Sequence, residues 1–160
     1  MGAAGAGKTT VGRALAQSCG WRFYDADDLH PRANVDKIQN GVPLTDADRA
    51  PWLAKVAELV SRLAARGENA VLACSALREA YRQTIVSDPA AVRWVYLRAD
   101  PQLLLERLRS RPGHFAGPSI LEDQLSRLEE PDDALTLDAG RPVDDLVREI
   151  GIWLDCRAAS

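Results

Sequence analysis

The sequence predicts an α/β domain in which a parallel sheet lies between layers of helix, and three observations predict it. Helical and strand-like stretches alternate along the 160 residues, the pattern that feeds parallel strands through crossover helices. The strand candidates are short and apolar, as strands covered on both faces should be. The chain opens "MGAAGAGKTT", and Gly2 to Thr9 fit the pattern G-x-x-x-x-G-K-[ST] of a phosphate-binding loop. The length suits one domain, residues 1–160, with a proper core.

Each element has its own justification. After the glycine-rich loop, Lys8 to Ser18 places Val11, Ala14 and Leu15 on one helical face, and Gly20 stops it. "WRFYD", Trp21 to Asp25, is a short aromatic strand. "PWLAKVAELVSRLAARG" has Pro51 where a first turn tolerates proline, Gly67 just past the end, and Trp52, Val56, Leu59, Val60 and Leu63 at helical period. "AVLAC" (Ala70 to Cys74) and "VRWVYLR" (Val92 to Arg98) read as buried strands. "PQLLLERLRSR" begins a helix at Pro101, "SILEDQLSRLEE" begins one with Ser119 as N-cap, and "LTLD" (Leu135 to Asp138) is a weaker fourth strand. "PVDDLVREIGIWLDC" closes the chain as an amphipathic helix.

The phosphate loop has a clear chemistry. Its residues Gly2, Ala3, Ala4, Gly5, Ala6 and Gly7 let successive backbone N–H groups ring a phosphate, and the helix opening at Lys8, Thr9 and Thr10 aims its positive end there. Lys8 is expected to reach the outer phosphates and Thr9 to bind Mg²⁺. In folds of this kind the loop hangs from a central strand, yet only Met1 precedes Gly2. Burying five large apolar side chains supplies roughly 8–15 kcal/mol, comparable with the whole net stability of a domain. The first strand is therefore expected to be largely missing from this chain, with the natural product starting roughly five to fifteen residues upstream, the length of a strand and its lead-in.

An acceptor side follows. In "YDADDLHP", Asp25 and Asp27 project to one side of an extended segment near the loop. Such a pair can hold the Mg²⁺ shell (Asp25) and take a proton from an acceptor hydroxyl (Asp27). His30, Lys37 and Arg49 come next, then Ser75, Arg78, Tyr81 and Arg82 in "CSALREAYR". Ser75 emerges from a buried strand at the carboxyl edge, where open α/β sheets bind ligands. No Asp ends that strand, so Asp25 is the better metal partner beside Thr9. "RLRSRPGHF" carries Arg107, Arg109 and Arg111 into a Gly/Pro segment, suited to a lid over about 107–118 that closes on ATP.

Composition narrows the rest. A net charge of −3 gives no reason to expect nucleic acid or an anionic membrane. No apolar run approaches the roughly 20 residues of a membrane span. Cys19, Cys74 and Cys156 are scattered and odd in number, so they read as small buried hydrophobes in a reducing cytoplasm, not as staples or metal ligands.

These motifs together resemble the gluconokinase family, small phosphate-loop kinases related to shikimate kinase. The resemblance runs through "GAAGAGKTTVG", "FYDADDLHP", "DADRAPWL", "CSALREAYR" and "R-x-GHF" at Arg111 to Phe115. It implies a three-layer, nucleotide-kinase-like phosphate-loop fold with five parallel strands, four supplied here. It also implies ATP- and Mg²⁺-dependent phosphorylation of D-gluconate at its 6-hydroxyl, a mobile lid, and a homodimer in many members. On that resemblance Lys8, Asp27 and Arg111 are the catalytic candidates, and Arg107 and Arg111 join the loop around the nucleotide. Asp27, His30, Lys37, Arg49, Ser75, Arg78, Tyr81, Arg82 and His114 are the candidates around the sugar acid. The rival readings are a kinase for another hydroxy acid such as shikimate, and a nucleotide-binding but inactive truncated protein.

Overall fold

Seven helices and four strands alternate in the computed structural model, which describes residues 1–110 and 118–156. The first helix, α1 (Lys8–Cys19), starts at Gly7 in a left-handed conformation and ends at Gly20 in another. The strand β1 (Arg22–Asp25) leads into a 3-10 turn, Ala26–Leu29. Next come α2 (Arg32–Gln39), α3 (Asp46–Ala65) and β2 (Ala70–Ala73). After these follow α4 (Glu79–Ile85), β3 (Val95–Arg98) and α5 (Pro101–Ser110). The described chain closes with α6 (Pro118–Ser126), β4 (Leu135–Asp138) and α7 (Val143–Trp153).

The four strands form two parallel pairs rather than one continuous sheet. β1 pairs with β2 in the register Arg22 to Ala70 through Asp25 to Ala73. β3 pairs with β4 from Val95 and Leu135 through Arg98 and Asp138. Between the facing edges of β2 and β3 lies a slot of about 700 Å³, lined by Val71, Cys74, Val95 and Leu97 among others. Met1 enters it as backbone: its amino group donates to the Val95 carbonyl and its own carbonyl accepts from Leu97 N at 3.0 Å. That is a single rung of parallel ladder where a central strand of this fold would run.

Two cores flank the slot. One joins Val11 and Leu15 of α1 to Leu97, Leu104, Leu108, Leu121, Leu137, Leu146 and Ile150. The other gathers Ala26, Trp52, Leu53, Val56, Cys74, Tyr81 and Ile85 beneath α3 and α4. Trp52 is 2% exposed and donates its indole N–H to the Ala26 carbonyl at 2.7 Å, so the ring is buried with its polar atom satisfied.

Several sequence expectations need correction. α3 begins five residues before Pro51, because Thr45 and Asp48 form a reciprocal capping box that outweighs the proline signal. Ser119 lies inside α6 and donates its hydroxyl to the Gly41 carbonyl at 3.1 Å, so it is no N-cap. The cysteines are not all isolated: Cys19 and Cys156 are joined in a disulfide, Cα to Cα 5.9 Å. The reason is that α7 packs along α1, bringing together the ends of two helices 137 residues apart. Cys74 is free and buried, and burial pushes its thiol up to about 12.

Candidate active site

The phosphate loop is shaped by backbone. Gly2, Gly5 and Gly7 all have positive φ, a conformation that side chains resist. At Gly2 a Cβ would also meet the Leu97 carbonyl oxygen at 2.8 Å. Glycine there lets the loop press against β3. Ala6 N–H donates to the Ala3 carbonyl at 3.2 Å and closes the turn. Lys8 Nζ donates to the same carbonyl at 3.0 Å, so its ammonium folds across the loop. Thr10 is exposed on α1.

β1 and the turn after it deliver the acidic pair. The Thr9 hydroxyl donates to Asp25 Oδ2 at 2.9 Å, and Asp25 Oδ1 accepts from Asp27 N at 3.2 Å. Two small oxygen ligands side by side match the sparse protein contribution Mg²⁺ takes at phosphoryl-transfer sites, where phosphates and water complete the shell. Among the described residues no group of three or more His, Cys, Asp or Glu could hold a metal by itself. The donor set thus fits a metal that arrives with a nucleotide.

A cavity of about 260 Å³ joins the loop to the acceptor side. Gly5, Gly7, Lys8 and Thr9 line one end, and Asp27, His30, Arg49, Ser75, Tyr81 and Arg127 line the other. His30 stacks on Trp52, centroids 4.6 Å apart, and its Nδ1 lies 3.3 Å from Asn34 Nδ2. Burial holds the His30 imidazole below its ordinary value, favouring the neutral ring.

The cations are held in a mesh. Arg49 bonds the Leu44 carbonyl and places Nη2 3.2 Å from Asp123 Oδ2. Arg127 meets Asp123 Oδ1 at 2.9 Å and Asp46 Oδ1 at 3.2 Å. Asp46 also accepts from Tyr81 Oη at 2.5 Å and from Arg78 Nη1 at 3.0 Å. The Tyr81 hydrogen bond, with Arg78, Arg127 and Arg49 nearby, holds the Asp46 carboxyl below its usual range. Sequence reasoning missed Asp46, Asp123, Gln124 and Arg127; only the charge-rich run "EDQLSR" hinted at the last three.

Other candidates sit elsewhere. Lys37 donates to Asp48 Oδ1 at 2.6 Å, and that bond together with the Thr45 contacts brings the Asp48 carboxyl down to about 2. Lys37 therefore braces the start of α3 and does not line the cavity. Arg82 is 4% exposed, its guanidinium donating to the carbonyls of Ala76, Leu77 and Glu129 and to the Glu79 carboxylate. Sequence reasoning grouped it with the acceptor cations; its donors are taken up by those carbonyls and by Glu79, and it does not line the cavity. Arg107 reaches the loop, with Nη1 3.4 Å from the Gly5 carbonyl and Nη2 2.8 Å from that of Ala139. Arg111 and His114 lie outside the described residues.

Comparison with known proteins places this geometry in a family. The shikimate kinase family profile matches residues 4–142. A gluconokinase of Gluconobacter oxydans is 46% identical over 133 residues, covering 83% of this chain and 75% of that protein. Two crystal structures superpose on nearly the whole chain. A gluconokinase from Sinorhizobium meliloti has a TM-score of 0.84 at 41% identity, covering 98% of this chain and 90% of its own. A sugar kinase from Janibacter reaches 0.89 at 37%, covering 98% and 92%. With the phosphate loop, Asp27, Arg49 and Arg127 lining one cavity, the chain belongs to the shikimate kinase family of phosphate-loop kinases and, within it, to the gluconokinases.

Proposed function

We propose that this chain phosphorylates D-gluconate from ATP, giving 6-phospho-D-gluconate and ADP. One observation carries the reading: a single cavity brings Lys8 and Thr9 of the phosphate loop together with Asp27 and the cations Arg49 and Arg127. An anionic acceptor accounts for guanidinium groups gathered in a chain of net charge −3.

The reaction is direct in-line transfer. The loop amides and the N-terminus of α1 bind the triphosphate, and Lys8 leaves its carbonyl to neutralise the outer phosphates. Thr9 and Asp25 would hold Mg²⁺, which when bound adds positive charge beside the transferring group. Arg49 and Arg127, steadied by Asp123 and Asp46, bind the carboxylate end, while Tyr81 and Ser75 border the hydroxyls. Asp27 orients the 6-hydroxyl and accepts its proton as the oxygen bonds to the γ-phosphorus and the bond to ADP breaks. Arg111 and His114 are assigned to the lid and acceptor side on the family resemblance alone. We place the enzyme in the cytoplasm, acting on small molecules without nucleic acid or membrane. No helix among the described residues is long and apolar enough to cross a bilayer.

A coupled ADP-release assay across D-gluconate, other sugar acids and shikimate tests this reading. Gluconate should give the highest kcat/KM by at least an order of magnitude. A preference for shikimate would transfer the proposal to that acceptor, and nucleotide binding without acceptor-dependent turnover would sink it.

A further inference from the structure

A neutral imidazole carries one proton, and the neighbours of His30 decide which nitrogen holds it. Asn34, on α2, is 4% exposed. Its Nδ2 donates to the main-chain carbonyl of Asp48, on α3, at 2.7 Å. A carbonyl can only accept, so this bond fixes which end of the Asn34 carboxamide is the NH₂ group. The second hydrogen of Nδ2 is left for His30 Nδ1, 3.3 Å away. Nδ1 is then the bare, accepting nitrogen, and the proton sits on Nε2. Stacking on Trp52, with planes 12° from parallel, holds the ring in that orientation. Among the described residues Nε2 has no protein partner, and no buried side-chain nitrogen or oxygen goes unpaired. Nε2–H therefore reaches open space, and the cavity is the space His30 borders.

We propose that Asn34 is a positioning residue that locks His30 as a hydrogen-bond donor, through Nε2–H, to an oxygen of the acceptor. The identity of that acceptor rests on the kinase reading above; the tautomer does not. Of the charged groups facing the ring, Asp27 favours the protonated form and Arg49 opposes it, and burial outweighs both, so the imidazole stays neutral. A second proton could enter only at Nδ1, at the expense of the Asn34 bond. His30 thus gives a hydrogen bond and takes no proton, which leaves the base role to Asp27.

Long-range ¹H–¹⁵N correlation spectra of the labelled protein at neutral pH read the tautomer directly. The sequence holds two histidines, His30 and His114, so the signals lost in His30→Gln assign the ring. The wild type should show Nε2 protonated and Nδ1 bare, and the Nε2–H signal should shift on adding gluconate. A proton on Nδ1, or a charged ring, overturns the proposal, and a signal indifferent to gluconate overturns the donor role; neither outcome needs a variant that folds. Asn34→Asp, with folding checked by thermal unfolding, replaces the donor with an accepting carboxylate, so the proton should move to Nδ1. The KM for gluconate should then rise about ten- to a hundredfold, as when a polar group loses its partner. Affinity for a non-hydrolysable ATP analogue should stay within about twofold, since uniform loss of structure alone would weaken both substrates. A moved proton with unchanged KM, or an equal loss of analogue affinity, overturns the donor role and leaves the kinase reading standing. A wild type with the expected tautomer but no gluconate-dependent turnover removes the acceptor instead, and with it the donor role.

Discussion

The two ends of the cavity are made of different material. The phosphate-loop end comes from one contiguous stretch, Ala4 to Thr9, and is shaped by the positive φ of Gly5 and Gly7. The other end is assembled from side chains on the 3-10 turn after β1, α3, α4, the loop after β2, and the stretch at and just past α6, tied by ion pairs among Asp46, Arg49, Arg78, Asp123 and Arg127. A backbone site tolerates side-chain exchange as long as the chain path survives. A side-chain site loses function one charge at a time.

That contrast can be broken or sharpened by experiment. The largest effect is expected where acceptor chemistry is removed outright. Asp27→Asn should lower turnover about 10²- to 10⁴-fold, the usual worth of a positioned general base, while analogue affinity is retained; normal single-turnover rates would take Asp27 out of the mechanism. Arg127→Gln should raise the KM for gluconate about ten- to a hundredfold, as loss of a charged hydrogen bond does. Its nucleotide affinity should stay within about twofold, and a KM unchanged in steady-state kinetics would show that α6 does not bind the acid.

A smaller effect concerns His30, whose pKa is lowered by burial from 6.5 in the folded protein. The unfolded chain binds that proton first, so the contribution of the neutral ring is present above pH 6.5 and is lost as pH falls below it. Thermal midpoints should decline on acidification through this window, and His30→Gln should flatten that part of the profile; identical slopes would refute it. The smallest effect is expected at the phosphate end. Ala4→Ser leaves the backbone path alone and should change nucleotide affinity by no more than about twofold, because side chains do little of the cradling. A large change would mean that the two ends differ less than their construction suggests.

What was legible in the sequence follows the same division. The loop, its helix and the Thr9–Asp25 contact come from local motifs, and the strands from short apolar runs whose observed edges move by only a few residues. α2 and α4 escaped notice because they are short and carry few apolar residues at helical spacing. Asp46, Asp123 and Arg127 escaped because their partners lie far along the chain; Arg127 and Asp46 are separated by 81 residues. The Cys19–Cys156 bond was hidden for the same reason. Arg82 shows the converse limit. Sequence records a cation beside Tyr81 but not whether it faces a ligand or a cluster of carbonyls.

That buried guanidinium has a mechanical consequence. By gripping the carbonyls of Ala76, Leu77 and Glu129 at once, Arg82 acts as a rivet between the strand-end loop and the strap that follows α6. The chamber wall bearing Ser75 and Tyr81 is therefore held by these polar ties as well as by the apolar core beneath it. Nη1 meets all three carbonyls while Nε and Nη2 bond Glu79. A lysine, with one compact ammonium in place of a planar fork, could not hold the carbonyls and the carboxylate together, so shape at this corner is tied to a single residue.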